Sequence, residues 1–382
     1  MNEKNGIKHA EIIRYFSAKS RAQKIPFSGT LELTPRCNMN CKMCYIRMNE
    51  EEMKAVGSEL PVEEWIRIAG EAVEMGMGMV LLTGGEAILY KDFKKLYLEL
   101  RKMGVFISIN TNATMLNDEW IEFFKENPPA KFNITIYGGS NETYERLCGN
   151  PYGFDQMKAA TEKLLDNGFH ILLNCSITKQ NVDDMEKIFE FGREHGLEIH
   201  ATTYAFPPVR KEGQEHPDLN RFEAKEAARA RVRLNRNSLG EERFRKRALR
   251  IKYEVEKAEA LELEEDGARI EGDKILCAAG RSNFWVTWDG RMLGCGMIPD
   301  SPVHIKGKPF KEVWEDITKY VEGISLAPEC AACAKKSICM PCAAKIKSET
   351  GAYNLRSDYL CEYVDEYVKL MEQTAGEVEG NI

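Results

Sequence analysis

Hydrophobic and polar positions follow two alternating patterns through the first half of the chain. Six short apolar runs of strand length alternate with stretches in which apolar residues recur every three or four positions, as on a helix. The predicted strands are Thr30–Thr34, Met79–Thr83, Val105–Asn110, Lys131–Tyr137, His170–Thr178 and Glu198–Tyr204. The predicted helices are Val62–Met75, Asp92–Met103, Asn117–Lys125, Phe154–Asn167 and Val182–His195.

This alternation predicts an α/β fold, with a parallel sheet and helices outside it. Six strand–helix units are too few for a closed eight-stranded barrel, but they suit a partial (βα)6 barrel of the TIM type. Ligands of such sheets bind at the C-terminal ends of the strands, so the polar residues there are the first candidates for a functional site.

The pattern changes after Pro207–Pro208, where a charged stretch with helical spacing, Leu219–Glu265, begins. Residues 221–252 hold twelve Lys and Arg against four Glu, and residues 254–266 are acidic. A solvated helix face is the usual explanation of such charge. The alternative is a basic surface that binds an acidic partner such as a peptide.

The last third of the chain is rich in cysteine. Short strands are expected near Phe284–Trp288, and helical spacing returns in Phe310–Tyr320 and Ser357–Gln373. These shifts predict four parts: an N-terminal helical extension (1–29), the partial barrel (30–210), a charged helical linker (211–275), and a small Cys-rich domain with a C-terminal helix (276–382).

Composition narrows the class of protein. The 382 residues have a net charge of −7, with 43% hydrophobic and 30% charged residues, which is typical of a globular protein. No apolar run approaches the roughly twenty residues of a membrane span, and the polar segment Met1–Ala10 lacks the apolar core of a signal peptide. The acidic balance argues against a nucleic-acid binder. We therefore expect a cytoplasmic protein with no membrane or nucleic-acid partner.

Twelve cysteines indicate metal or redox chemistry, because a reducing cytosol disfavours disulfides. Three of them, Cys37, Cys41 and Cys44, form a C-x3-C-x2-C run directly after the first predicted strand. No histidine lies nearby in the sequence to complete a tetrahedral zinc site. A cubane [4Fe–4S] cluster needs an outer ligand on each iron, so three thiolates leave one iron open to a small molecule.

This run resembles the signature of the radical S-adenosylmethionine (radical SAM) enzymes, in which the third cysteine is followed by an aromatic residue, here Tyr45. A second matching segment, Thr83-Gly84-Gly85-Glu86, follows the second strand, and the resemblance covers about residues 30–205. It implies that Cys37, Cys41 and Cys44 hold the [4Fe–4S] cluster that binds SAM. It also implies a set of residues that contact SAM: Tyr45, Gly84, Gly85, Glu86, Asn112, Thr135, Arg146 and Asn174.

Some of these implied contacts have a specific partner. In the family the Gly-Gly-Glu segment contacts the methionine amino group, and a residue at the place of Thr135 contacts the ribose. Arg146 would pair with the methionine carboxylate by a bidentate fork, although a surface ion pair would explain it equally. Asn174 would line the site, but it would also fit as a hydrogen-bonded polar residue within a strand.

Seven cysteines in the last third resemble the SPASM extension of this family, which holds two auxiliary [4Fe–4S] clusters. The resemblance assigns the outer auxiliary cluster to Cys330, Cys333, Cys339 and Cys361 and the inner one to Cys277, Cys295 and Cys342. The last spacing of the central run is x2 where the family usually has x3. Seven thiolates also leave the inner cluster one ligand short, which a substrate thiolate, water or another side chain would supply. Taken alone, the paired C-x2-C motifs also suit a zinc ribbon.

The resemblance implies cleavage of SAM to methionine and a 5′-deoxyadenosyl radical, which then abstracts a hydrogen atom from a substrate. The segment 137–144 is similar to one found in SPASM enzymes that modify ribosomal peptides, so a peptide or protein substrate is implied, oxidised or joined by a thioether or another cross-link. The auxiliary clusters would accept electrons or bind substrate, and a flavodoxin- or ferredoxin-type protein would be the reductant. Because only about 29 residues precede the first strand, we expect leader-peptide recognition by a separate protein or by segment 221–252.

Other functions compete with this one. An anaerobic sulfatase-maturing enzyme, which forms formylglycine, has the same two-part architecture but eight SPASM cysteines. A small-molecule radical SAM dehydrogenase is a further alternative. An iron–sulfur electron carrier or a zinc-ribbon module is the non-enzymatic one, and neither would need an open iron or the segment Thr83–Glu86. No general acid or base is identified, and the six histidines are scattered.

Overall fold

The computed structural model describes residues 9–206, 221–264, 274–275, 277–300 and 302–379. The chain forms two compact units, and each unit is built from segments that are distant in the sequence. The first unit consists of Met1–Cys37, Met48–Asn110 and Leu276–Gly323, and the second consists of Asn38–Arg47, Thr111–Ile275 and Ile324–Ile382.

Nine strands and fifteen α-helices are present in the described residues. The strands are β1 (Ser28–Glu32), β2 (Met79–Thr83), β3 (Phe106–Thr111), β4 (Lys131–Thr135), β5 (Ile171–Ser176), β6 (Ile199–Thr202), β7 (Asn283–Val286), β8 (Arg291–Leu293) and β9 (Val303–His304). The helices are α1 (His9–Gln23), α2 (Glu50–Val56), α3 (Val62–Glu74), α4 (Phe93–Lys102), α5 (Asp118–Glu126), α6 (Asn141–Cys148), α7 (Gly153–Asp166), α8 (Met185–Glu194), α9 (Ala224–Leu239), α10 (Glu241–Glu264), α11 (Phe310–Glu322), α12 (Pro328–Ala331), α13 (Lys336–Cys339), α14 (Ala343–Thr350) and α15 (Asp358–Glu379).

The first unit is organised around strands in the order β3-β2-β1-β7-β8-β9. β3, β2, β1 and β7 pair in parallel, whereas β8 and β9 pair antiparallel. Ser28 of β1 is in register with Met79 of β2 on one side and with Asn283 of β7 on the other. A strand from the last third of the sequence therefore extends the parallel pairing that begins near the N-terminus.

Helical periodicity accounts for the core of the first unit. The apolar positions of α3 recur every three or four residues and bury Trp65 and Ile68, and α4 buries Phe93 and Leu96 in the same way. Burying one such large apolar side chain contributes about 2 kcal/mol before the loss of conformational freedom is subtracted. This burial holds α3 and α4 against each other in the first unit.

The second unit contains a parallel group of strands and a helical bundle. β4, β5 and β6 pair in parallel, with Thr135 of β4 in register with Asn174 of β5. Helices α9, α10 and α15 share an apolar core to which each contributes buried side chains, among them Ala228, Phe244 and Tyr367. Two cysteines of the Cys-rich region belong to this bundle, since Cys339 packs against its core and Cys361 lies on α15.

The structure confirms the predicted α/β class. All six strands predicted in the first half are present, with ends within two residues of the prediction. The charged stretch Leu219–Glu265, predicted to have helical spacing, is helical over most of its described residues. It consists of two helices, α9 and α10, which are separated at Gly240, where φ is 74°. The helix predicted from Val182 starts with a 3-10 turn, Val182–Asp184.

Parts of several predictions fall outside the described residues. These parts are residues 1–8 of the N-terminal extension, Pro207–Pro208, residues 211–220 and 265–273 of the charged linker, and residues 276, 301 and 380–382 of the Cys-rich domain. The division of the chain into four parts stays a prediction. Among the described helices, none combines the length and apolar character needed to cross a bilayer.

Candidate iron–sulfur and SAM site

Two glycines after β2 lie directly against the chain that follows β1. The N–H of Gly85 donates to the carbonyl oxygen of Thr34 at 2.7 Å, and the N–H of Glu86 donates to that of Arg36 at 2.8 Å. A Cβ atom on Gly84 would collide with the Thr34 carbonyl oxygen, and one on Gly85 with that of Arg36. The Gly-Gly pair is therefore required for two backbone segments to approach each other, one of which leads into Cys37.

A salt bridge holds the same segment from its other side. Arg36 donates from Nε and Nη2 to the two carboxylate oxygens of Glu59 at 2.9 and 3.0 Å, and from Nη2 to the carbonyl oxygen of Leu89 at 3.0 Å. The hydroxyl of Thr34 also donates to Glu59. A bidentate guanidinium–carboxylate pair fixes orientation as well as distance, so the residue preceding Cys37 has a defined position.

Two carboxylates are buried in this part of the first unit. The Glu86 side chain, at the C-terminal end of β2, is 1% exposed. Glu32, the last residue of β1, is also buried, and its carboxylate accepts a hydrogen bond of 2.8 Å from the indole of Trp285. A buried carboxylate is costly unless a cation or hydrogen-bond donors meet it, which makes Glu86 suitable for a cationic ligand group. The sequence pattern did not single out Glu32.

Cys41 and Cys44 lie on a loop of the second unit that is held by α6. The N–H of Asn40 donates to the carbonyl oxygen of Cys148 at 2.8 Å, and that of Lys42 donates to the carbonyl oxygen of Leu147 at 2.9 Å. Within the loop, the N–H of Cys44 donates to the carbonyl oxygen of Cys41 at 3.0 Å. The backbone of Arg47 donates to Cys44 Sγ at 3.2 Å, the kind of contact that stabilises a thiolate.

Cys148 belongs to the surroundings of this loop. It belongs to neither of the two cysteine groups in the sequence, and it is fully buried at the end of α6. A hydrogen bond from its thiol is the largest cause that lowers the pKa of the Cys41 thiol below its usual value, against a smaller rise from burial. A lowered pKa favours the thiolate, which is the form that binds iron.

Asn112 is buried and contacts the same loop. Its Nδ2 donates to Oδ1 of Asn38 at 2.9 Å, and its Oδ1 accepts from the backbone and the hydroxyl of Thr114 at 3.0 and 2.7 Å. Asn38 Nδ2 in turn donates to the Thr114 hydroxyl at 2.8 Å. These contacts position the residue after Cys37, so Asn112 holds the loop in place whatever else it binds.

Three other predicted SAM residues lie in the second unit. Thr135 and Asn174 are neighbours in register on β4 and β5, and both are half-buried. Arg146 on α6 is 41% exposed in its side chain, and it donates to the carbonyl oxygen of Gln180 at 2.8 Å and to the hydroxyl of Thr143 at 3.2 Å. These contacts give Arg146 a structural role, and its pairing with SAM stays a prediction.

Four C-terminal cysteines border one cavity of about 350 Å³, namely Cys330, Cys333, Cys339 and Cys361. Burial, followed by the negative charge of the neighbouring thiolates, raises the pKa of Cys330 and raises that of Cys339 to about 11. The guanidinium of Arg356 donates to Cys361 Sγ at 3.3 Å. The structure therefore brings together the four cysteines that the sequence analysis assigned to one cluster.

The other predicted ligands are not among the described residues that line that cavity. Cys277 is exposed and Cys295 is half-buried, both in the first unit, whereas half-buried Cys342 precedes α14 in the second unit. Tyr45, next to Cys44, is half-buried. A common cluster for Cys277, Cys295 and Cys342 stays a prediction, as does the contact of Tyr45 with SAM.

Comparisons with known proteins identify the family that the N-terminal half of the chain resembles. Residues 31–192 match the model of the radical SAM superfamily. The chain is 24% identical over 341 residues to the AdoMet-dependent heme synthase of Methanosarcina barkeri, which covers 87% of this chain and 95% of that protein. It is 29% identical over 166 residues to the sporulation killing factor maturation protein SkfB of Bacillus subtilis, which covers 44% of this chain and 39% of SkfB.

A solved structure extends the likeness to nearly the whole fold. Streptococcus suis SuiB bound to its precursor peptide SuiA superposes with a TM-score of 0.63 at 14% identity, over 94% of this chain and 82% of SuiB. The family model begins at β1 and ends within α8, so it contains the three-cysteine run and the Gly-Gly-Glu segment. Residues 31–192 are therefore a radical SAM domain, in a chain whose α/β fold continues into a Cys-rich C-terminal region.

Proposed function

We propose that this protein is a radical SAM enzyme that modifies a peptide substrate. The observation that carries the radical SAM part is the fixation of the three-cysteine run at both ends. Gly85 and Glu86 hold the chain before Cys37, and α6 holds the chain around Cys41. A family of this kind uses a [4Fe–4S] cluster and SAM.

The described residues fit those groups. Cys37, Cys41 and Cys44 supply three thiolates for the cluster, and buried Glu86 supplies a carboxylate for the ammonium group of the SAM methionine. When bound, the cluster and SAM supply a 5′-deoxyadenosyl radical. The chain's own part is to present three thiolates on a fixed loop and to offer an anion in a site from which water is largely excluded.

The four cysteines of the C-terminal cavity fit an auxiliary cluster. Among the described residues, no three His, Cys, Asp or Glu side chains are placed to hold a single metal ion. A cubane distributes its four thiolate ligands over four separate irons, so a set of four thiols around a cavity suits it better than it suits one zinc ion. Cys277, Cys295 and Cys342 would serve a second auxiliary cluster with one ligand from elsewhere.

The peptide part of the proposal rests on relatives. SkfB is a maturation protein for sporulation killing factor, and SuiB was solved with its precursor peptide. By analogy, the substrate here is a peptide that undergoes oxidation or cross-linking, with a flavodoxin- or ferredoxin-type reductant and a separate leader-binding protein as further partners. Segment 221–252 is a weaker candidate for leader binding than its charge suggests, because many of its cations already pair with carboxylates, as Arg233 does with Glu186 of α8.

A second candidate substrate is an iron porphyrin. The relative named an AdoMet-dependent heme synthase aligns with 87% of this chain and 95% of its own length, whereas SkfB aligns with less than half of each. Full-length alignment favours a shared architecture in the C-terminal region as well, although 24% identity leaves the substrate open.

A single assay separates the two candidates. Reconstituted, reduced protein is given SAM with either iron coproporphyrin III or the short peptides encoded beside its gene, and each mixture is analysed by mass spectrometry. The proposal expects a peptide product with a mass loss of hydrogen and a matching amount of 5′-deoxyadenosine. Conversion of the porphyrin without any peptide product would replace the peptide proposal with the porphyrin one.

A further inference from the structure

A second cavity in the second unit contains cationic side chains but no acidic ones. It measures about 290 Å³ and lies at the C-terminal end of β6, between α9, α14 and α15. Its polar lining includes Thr203, Arg231, Asn235, Lys345 and Tyr363. No Asp or Glu belongs to the lining described in the structure. Its position at the C-terminal end of a parallel strand is where α/β proteins bind ligands.

Arg231 and Lys345 differ from their neighbours in charge pairing. Four other cations of α9 each pair with a carboxylate: Lys225 with Glu362, Arg229 with Glu366, Arg233 with Glu186 and Arg236 with Glu241. Within the described part of the chain, neither Arg231 nor Lys345 lies within ion-pair distance of a carboxylate. A half-buried cation without a counter-charge is unfavourable, so the pair is suited to an incoming anion.

Aromatic rings fix both cations at the cavity wall. The Arg231 guanidinium lies 4.0 Å from the ring centroid of Tyr367, and Lys345 Nζ lies 4.7 Å from that of Tyr204. The Tyr367 hydroxyl accepts a hydrogen bond of 2.7 Å from Asn235, so its ring is held in turn. A guanidinium stacked on a ring keeps its in-plane N–H donors available for a planar acceptor such as a carboxylate.

We propose that this cavity binds a carboxylate group of the substrate, with Arg231 and Lys345 as its binding residues. The proposal rests on the function proposed above, since it places a substrate group in the C-terminal half of the protein. Both candidate substrates carry the required chemistry, as an Asp or Glu side chain of a peptide or as a propionate of a porphyrin. A cavity of about 290 Å³ holds such a group without enclosing the whole substrate.

A different role for the cations is to balance the charge of an iron–sulfur cluster. Cys339 and Cys342, both assigned as cluster ligands by resemblance, also line the cavity. The two roles predict different effects of removing one of the cations by substitution. A charge-balancing cation would change the iron content or the absorbance of the reconstituted protein, whereas a substrate-binding cation would change only the affinity for carboxylates.

The test is a calorimetric titration of the reconstituted holoprotein with glutarate, and with glutaramide as the neutral isostere. Wild-type protein and the R229Q control, on the same helix but paired with Glu366 outside the cavity, should bind glutarate with the same millimolar affinity. R231Q and K345Q should each weaken the affinity for glutarate by about tenfold or more. The iron content per chain and the visible spectrum of both variants should be unchanged. Glutaramide should not bind.

The opposite results overturn the proposal. Equal glutarate affinity in R231Q and wild-type protein, or no binding by wild-type protein at millimolar concentration, would show that the cavity is not a carboxylate site. Loss of iron in R231Q would assign the cations to the cluster. Displacement of glutarate by coproporphyrin III or by a Glu-containing pentapeptide then identifies the source of the carboxylate. The titration needs no SAM cleavage, so its result tests the carboxylate site independently of the proposed radical chemistry.

Discussion

The main-chain N–H of Gly85 donates a 2.7 Å hydrogen bond to the carbonyl oxygen of Thr34, so the turn after β2 directly supports the loop after β1. This contact couples the two sequence motifs of the radical SAM domain. The Gly-Gly pair has a structural role, because its lack of side chains lets the backbone before Cys37 approach to hydrogen-bonding distance. It also brings Glu86 to the same end of the strands, since the next N–H donates to Arg36.

Substitution of Gly85 by alanine should therefore displace the cysteine loop. The added Cβ would collide with the carbonyl oxygen of Arg36, which is backbone and cannot rotate away. We expect G85A to lose most of the iron bound at the three-cysteine run and to be destabilised by about 2 kcal/mol. Iron analysis after reconstitution and urea unfolding measure the two effects.

Gly104 provides the control, because a Cβ there meets no atom within 4 Å although its φ is 77°. G104A should cost about 1 kcal/mol through backbone strain alone and keep its iron. Equal iron loading of G85A and wild-type protein would show that the contact does not position the loop.

Glu86 should govern the affinity for SAM. E86Q keeps the shape of the side chain but removes the charge proposed to meet the SAM ammonium group, and the loss of a charge-assisted contact should weaken SAM binding by about tenfold or more. Glu32, also buried in the first unit but bonded to Trp285, supplies the matched control E32Q. Equilibrium binding of SAM to each reconstituted variant measures its affinity for SAM. If E86Q binds SAM with wild-type affinity, the Glu86 carboxylate does not bind the SAM ammonium group.

The C-terminal cysteine cavity should hold iron rather than zinc. C361S removes one of the four thiols and should lower the iron content by about four per chain. C175S changes a buried cysteine of β5, whose pKa is raised to about 12 by burial, and should leave the iron content unaltered. Zinc bound in wild-type protein and lost in C361S, with no change in iron, would establish a zinc knuckle instead.

The ion pair between Glu186 and Arg233 gives a pH dependence to stability. Hydrogen bonds from Arg233 lower the pKa of Glu186 to about 2 in the folded protein, below its value of about 4.3 when unfolded. A lowered folded pKa stabilises the protein above the unfolded value, and this contribution disappears as the pH falls from about 4.3 to about 2. Because both side chains are partly exposed, the contribution near neutral pH is below about 1 kcal/mol.

Urea unfolding at about pH 7 and about pH 3 tests this prediction. E186Q should be less stable than wild-type protein at the higher pH, and the difference should shrink at the lower one. E190Q, on the same helix, is the control for adding an amide to α8. A difference between E186Q and wild-type protein that stays constant with pH would contradict the assigned cause.

Local pattern was sufficient for the strands, whereas the grouping of the outer cysteines came from the resemblance to the SPASM extension. The apolar runs located β2 to the residue, since four consecutive apolar residues, Met79–Leu82, make up most of this five-residue strand. Cys330, Cys333, Cys339 and distant Cys361, which the resemblance places on one cluster, border one cavity. Spacing alone would not have joined Cys361 to the other three.

Features that depend on long-range contacts were not predictable. Helical spacing over Leu219–Glu265 did not show that the stretch divides at Gly240, because a single glycine is tolerated in many helices. Cys148 lay outside both cysteine groups, and only the folded chain places it beside Cys41. Arg231 looked like any other cation of a basic stretch until the structure showed which of its neighbours have carboxylate partners.

The most direct test of the central claim is release of 5′-deoxyadenosine from SAM by the reduced, reconstituted protein. We predict release by wild-type protein and by C175S, and no release above background by C41A, which lacks one ligand of the proposed cluster. Equal release by C41A and wild-type protein, or none by wild-type protein that carries its full iron content, would contradict the assignment of radical SAM chemistry to this loop.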